Sequence, residues 1–216
     1  IAFFSYQQQQ QRLADLRALA DALGWRFETS YDYSFDNEYS QFSNFCHGSD
    51  RYAYNTLVGA IRGDGDAWPA QMGDYHYKTE SSDGKTTQTQ HHRFSYLLVK
   101  LPYPSLPDLR IRREGFFDTL AHAFGFSDIN FESAEFSKRF DVKSSDKKFA
   151  YDVIHPKMME FLMADDPPVT EISGGCCCIT MGSGTWSTEE FRHNEDWAVK
   201  FFNLWPKYLT ADLKTR

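Results

Sequence analysis

The feature that most constrains the fold is a set of three strand-like runs between residues 51 and 101. "RYAYNTLVGAI" (51–61), "AWPAQMGDYHYKT" (67–79) and "HHRFSYLLVKL" (91–101) are rich in aromatic and β-branched residues, and the polar connectors "RGDGD" and "ESSDGKTTQTQ" separate them. Runs of this length joined by glycine-containing turns predict an antiparallel meander. The second connector, Glu80 to Gln90, carries no apolar residue. It cannot bury enough surface to offset the entropy of ordering it, so a flexible hairpin end or a partner-contact site is expected there.

The remaining elements follow from local signals. Leu13, Leu16, Ala20 and Leu23 recur at helical spacing ahead of Gly24, which predicts a helix over 7–23. "WRFET" (25–29) has strand character, and residues 30–50 are expected to be loop with a short helix. The prolines of "LPYPSLPDLRI" enforce an extended connection. "EGFFDTLAHAFG" (114–125) predicts an amphipathic helix, and "FDVKSS" (140–145) a strand. Asp146 can cap a helix through "KKFAYDVI", which Pro156 divides from "KMMEFLMA". "VTEIS", Gly174-Gly175 and "CCCITM" predict a hairpin over 169–181, and Ser187 with Glu190 forms a capping box opening a last helix.

The fold class that results is α+β, an antiparallel β meander with flanking helices followed by a strand–helix–hairpin–helix unit. Three regions are expected: an N-terminal helix (1–24), a β-rich region (25–113) and an α+β region (114–216), the last two packed as one unit. "GSDRYAYNTL" and "SSDKKFAYDVI" share a weak likeness that raises an internal duplication.

A net charge of −7 and a pI near 5.5 argue against a general binder of nucleic acid or anionic membranes. The one basic cluster, "RIRRE" (110–114), is expected on a solvated strand edge. Four cysteines with no CxxC spacing do not form a secreted disulfide framework, which fits reduced thiols in a cytoplasmic setting. No internal run reaches the roughly 18–20 apolar residues that cross a bilayer. The apolar start "IAFFSY" runs into a glutamine run with no cap residue between them, which predicts the end of a membrane helix continuing upstream of Ile1. The competing expectation is that these residues fold back onto the core.

The candidates for chemistry are sparse. In a strand, Cys176 and Cys178 face one way and Cys177 the other, so the three cannot jointly grip a tetrahedral metal. The expectation is that Cys177, or else its two neighbours, faces the core. Cys46 and His47 sit elsewhere with no ligand spacing. His91 and His92 also point to opposite faces. Asp74 and His76 share a strand face and are expected to be a surface pair. Asp152 and His155 lie about one helical turn apart, with His155 expected as a polar cap. "MGSGTW" fails the nucleophile-elbow pattern because Met181 stands in the first glycine position. The residues assign no catalytic, cofactor or metal site and require no cofactor.

Taken together, Gly59, Asp74-Tyr75, the Leu101-Pro102 connection, "DINFES", "FDVKSSD" and "HPKMMEFL" resemble a group of uncharacterised bacterial proteins from planctomycetes and actinobacteria, similar in the second half to DUF3137-type domains. The resemblance spans about residues 25 to 180. It implies membrane helices ahead of this region and no known catalytic or binding residue. Two functional readings follow. The first is a non-enzymatic cytoplasmic domain of an inner-membrane-tethered protein, acting through protein contacts, with homo-oligomerisation left open and no nucleic acid. The alternative is a hydrolase or metal-dependent enzyme whose site assembles from His76, His91 or His155 with carboxylates such as Asp74 and Asp152.

Overall fold

The computed structural model describes residues 2–63, 65–82, 86–103, 105–115, 126, 128–164 and 166–215. Helix α1 (Ala2–Leu23) leads into β1 (Arg26–Glu28), a short helix α2 (Phe35–Glu38) and a 3-10 turn (Ser43–Phe45). The meander follows as β2 (Ser49–Gly63), β3 (Asp66–Ser82) and β4 (Thr87–Lys100), then β5 (Leu109–Arg113). The second half holds α3 (Ala134–Arg139), β6 (Phe140–Ser144), α4 (Lys147–Val153), α5 (Pro156–Ala164), β7 (Val169–Ser173), β8 (Cys176–Thr180), α6 (Thr188–Asn203) and α7 (Lys207–Thr215). The fold class is α+β, as the strand patterns imply.

Among the described residues, all eight strands join one antiparallel sheet in the order β1-β2-β3-β4-β8-β7-β5-β6. The β7–β8 hairpin slots between the meander and β5, so the sheet is continuous across residue 113. Its turn is Gly174-Gly175 with both φ positive (57° and 75°), the geometry two-residue hairpins favour and glycine supplies without strain.

The sheet is covered on both faces. One face carries Leu57, Met72, Leu97, Val142, Ile172 and Cys177 and packs against Leu16 and Leu19 of α1, Phe149 of α4, Met158 of α5 and Phe191, Phe201 and Phe202 of α6. The other carries Tyr75, Phe94, Tyr96 and Cys178, capped by Phe35, Phe42 and Phe45 from the segment between β1 and β2. Burying these side chains contributes about 1.5–3 kcal/mol each before the entropy of ordering them. The cysteines are therefore strand residues, with both Cys177 and Cys178 buried, one on each face. This corrects the expectation of a single buried side: the aromatic segment 35–45 supplies a second core.

Other expectations change as well. The β3–β4 ladder continues through Ser82↔Thr87, so the polar connector is mostly paired strand. β5 is an inner strand between β7 and β6, not a solvated edge. Arg110 and Arg112 converge there on the Asp141 carboxylate at 3.5 and 2.6 Å, and Arg113 pairs with Asp166. The repeated motif forms strand in β2 but helix in α4, which removes the support for duplication. The helix expected over 114–125 lies almost wholly outside the described residues. Among the described residues, no helix is long and apolar enough to cross a membrane.

Candidate functional site

Across the helix-covered face the meander is arranged in rows. Gly59·Ala70·Val99 and Leu57·Met72·Leu97 are apolar and lie under the helices. The next row, Tyr54·Asp74·Ser95, is polar, and the one beyond it, Tyr52·His76·Arg93, reaches solvent. The face thus grades from core to ion pair to an open aromatic and basic surface.

Asp74 is fully buried. Its carboxylate accepts two bonds from Arg12 Nη2 at 2.7 and 2.9 Å, one from Arg12 Nε at 3.0 Å, one from the Asn55 amide at 2.9 Å and one from Ser95 Oγ at 2.6 Å. Ser95 Oγ in turn accepts the Trp186 amide at 2.8 Å, and Arg12 Nη1 donates to the Trp186 carbonyl at 2.9 Å. The network ties α1, the meander and the segment entering α6 together. Asn55 sits at φ 53° where the β2–β3 register shifts, a left-handed bulge position that asparagine tolerates better than most residues.

The expected Asp74–His76 surface pair is corrected: both side chains are buried, and each has its own partners. His76 Nδ1 lies 3.0 Å from the Asp50 carbonyl, so Nδ1 carries the proton and donates. Its Nε2, 2.9 Å from His91 Nδ1, then accepts from His91. The Tyr52 ring stacks on His76 with centroids 4.6 Å apart. Burial pushes the His76 pKa below the ordinary histidine value, partly offset by the bond to the Asp50 carbonyl, with Arg93 adding to the depression.

Around this pair lies a tyrosine cluster. Tyr31 meets Tyr52 edge-on at 5.1 Å and stacks with Tyr54 at 6.1 Å, and Tyr33 lies 5.4 Å from Tyr52. Tyr31 and Tyr33 are 53% and 64% exposed, so two large rings sit in solvent on one patch. Burial raises Tyr52 and Tyr54 above the usual tyrosine range, so their hydroxyls stay protonated and able to donate. The loop tyrosines were visible in the sequence only as part of an aromatic-rich segment; nothing local to residues 30–35 said that they would lie over β2.

The other candidates lie elsewhere and do not form a pair. Asp152 accepts from Lys148 Nζ at 2.8 Å and from the Tyr208 hydroxyl at 3.0 Å. His155 Nε2 donates to the Leu204 carbonyl at 2.8 Å, where α6 ends, as the polar-cap expectation has it. On the opposite sheet face, a groove of about 370 Å³ runs past Tyr39, Gln71, Leu98, Lys100 and Cys176. Burial raises the Cys176 thiol, with Lys100 opposing that shift. Among the described residues, no three His, Cys, Asp or Glu side chains come together as a metal site.

No protein-family model matches the chain, and no curated protein matches its sequence. Its fold does match a solved structure, that of the mycobacterial trehalose monomycolate transport factor A, TtfA. The TM-score is 0.59 over 88% of this chain and 92% of that one, at 12% identity, a likeness of fold alone.

Proposed function

We propose that this chain is a protein-interaction module: the globular cytoplasmic part of a bacterial protein tethered to the inner membrane by a segment upstream of Ile1. The observation that carries this reading is the tyrosine cluster. Exposed tyrosines offer large, stiff contact area with a polar tip at low entropic cost, and they concentrate at recognition surfaces. The hydrolase alternative fares less well on the same residues. The Asp74 oxygens are taken up by Arg12, Asn55 and Ser95, while Asp152 and His155 hold helices together.

The tether reading rests on the apolar start of α1, which is helical from Ala2 and runs into the glutamines without a break. The fold neighbour is described as a transport factor, and a supporting role in transport is compatible with a module that binds without catalysing. The test is isolation of the native protein from its host. The reading expects it in the membrane fraction, resisting a salt wash, with a defined partner that is lost on Tyr31→Ser/Tyr33→Ser. A native protein recovered in the soluble fraction removes the tether. A variant that keeps every partner removes the tyrosine face as the contact.

A further inference from the structure

The β3–β4 hairpin outruns the rest of the sheet. β2 begins at Ser49, opposite Lys78, so β3 from Thr79 onward has no strand on its far side among the described residues. On the other side, β8 pairs with β4 only from Tyr96 to Lys100. Gly184 takes the next positions, accepting the Ser95 amide at 3.2 Å and donating to the Arg93 carbonyl at 3.0 Å. Beyond it, Thr87 to His92 of β4 has no strand partner on its outer edge among the described residues. What projects is a two-stranded arm, Thr79–Ser82 against Thr87–His92, without one apolar residue. A lone polar hairpin of this kind is marginal in water.

The outer edge of the arm is unguarded. Exposed edges are commonly blunted by charge, proline or a bulge. The run "TQTQHH" (87–92) holds no carboxylate, ammonium, guanidinium or proline. Its register with β3 continues to Ser82↔Thr87 without a shift, so no bulge turns it away. Arg93 and Ser95 point their backbone groups outward to Gly184, and strand alternation therefore points those of Thr87, Thr89 and His91 outward too.

We propose that a second copy of this chain covers this edge, with β4 paired antiparallel to β4 about a two-fold axis at Thr89. Thr89 then faces Thr89 of the partner subunit, and Thr87 faces the partner's His91, each such pair exchanging two backbone hydrogen bonds. Between them Gln88 lies beside the partner's Gln90. The sequence itself argues for a like partner. A carboxamide and a hydroxyl each donate and accept, so Gln meets Gln and Thr meets Thr with their bonds satisfied. Two chains of net charge −7 repel each other, and this uncharged strand is where they can meet without setting like charges face to face. Each arm uses up the other's open edge, so the assembly closes at two copies. The pairing goes beyond the interaction-module reading and does not depend on the tyrosine face.

Sedimentation equilibrium of the purified chain, up to about 500 µM, tests the proposal. The native sequence is expected to form a dimer as concentration rises. Thr89→Pro removes an outward N–H that β3 does not use, so the arm keeps its own ladder while the dimer weakens by about tenfold or more. Thr89→Lys, which sets like charges across the axis, should weaken it as well, whereas Ser81→Lys on β3 should not. In a Cys46→Ser background, Thr89→Cys should form an intersubunit disulfide on mild oxidation, and Gln88→Cys should not, because Gln88 faces the partner's Gln90. A monomer at every concentration overturns the proposal. So does a dimer that Thr89→Pro leaves unchanged, or cross-linking of Gln88→Cys as readily as Thr89→Cys.

Discussion

Arg12 of α1 and Asp74 of β3, 62 residues apart in sequence, meet through three contacts of 2.7 to 3.0 Å beneath the protein surface. The two partners are not equally buried: the Asp74 side chain is 0% exposed and that of Arg12 27%. The pair fastens the N-terminal helix over the sheet and sets the boundary between the apolar core and the tyrosine face.

That asymmetry predicts unequal costs. Arg12→Ala strands a buried carboxylate without its cation, a change that costs about 3–5 kcal/mol. Asp74→Ala leaves an arginine that water can reach, so it should cost less, although it also frees Asn55 and Ser95. Urea denaturation of both variants checks the order. A larger loss in Asp74→Ala would mean that the hydrogen bonds around Asp74, and not its charge, dominate.

Gly59 predicts a steric effect. A Cβ at that position would fall inside the indole of Trp25, which lies flat against the strand. Gly59→Ala should therefore cost about 1–3 kcal/mol, the usual range for overpacking. In a Trp25→Ala background the same substitution should cost almost nothing, because the atoms it meets are gone. A double-mutant cycle by urea denaturation measures this coupling, and additive costs would show that Trp25 is not the obstacle.

The four thiols should react in an order set by the sheet. Cys46 is exposed and Cys176 half-buried, whereas Cys177 and Cys178 are buried on opposite faces. Burial pushes both inner thiols well above the ordinary cysteine range, so they lack thiolate as well as access. Titration with an aromatic disulfide should label Cys46 first, then Cys176, with the inner pair reacting only on unfolding. Labelling of Cys177 in the native protein would show that the helices over that face lift from the sheet.

Most of the fold was legible because the meander and the β7–β8 hairpin depend on local signals: glycine turns, alternating side chains, the capping box at Ser187. Helix α7 and strand β5 were harder. β5 follows a proline-rich connection, and its arginines resemble an edge until Asp141 is placed across from them. The site was the least legible part. Strand alternation places Asp74 and His76 on one face, but that they are buried with separate partners depends on Arg12 and His91, whose distance in sequence no periodicity reveals. The tyrosine face likewise needs the loop at Tyr31 and Tyr33 to fold over β2, a contact fixed partly by the Asp32↔Ala53 bridge.

The His76–His91 pair predicts how stability responds to pH. His76 donates from Nδ1 to the Asp50 carbonyl and accepts at Nε2 from His91, an arrangement that requires the neutral ring. Its folded pKa is depressed, chiefly by burial. In the unfolded chain the same ring takes up a proton near the ordinary value of about 6.5. Below that pH the unfolded state binds more protons than the native one, so the slope of stability against pH is positive. The contribution of His76 is fully present above the unfolded pKa and is lost as pH falls toward the lower, folded value. A proton on His76 would also set a cation beside Arg93, with Asp50, itself held by Lys78, as the nearby carboxylate. Urea midpoints measured between about pH 7 and pH 5 should fall for the native sequence and fall less for His76→Gln, which keeps a polar side chain but cannot titrate. An identical pH slope in the two proteins would place the acid sensitivity outside this pair.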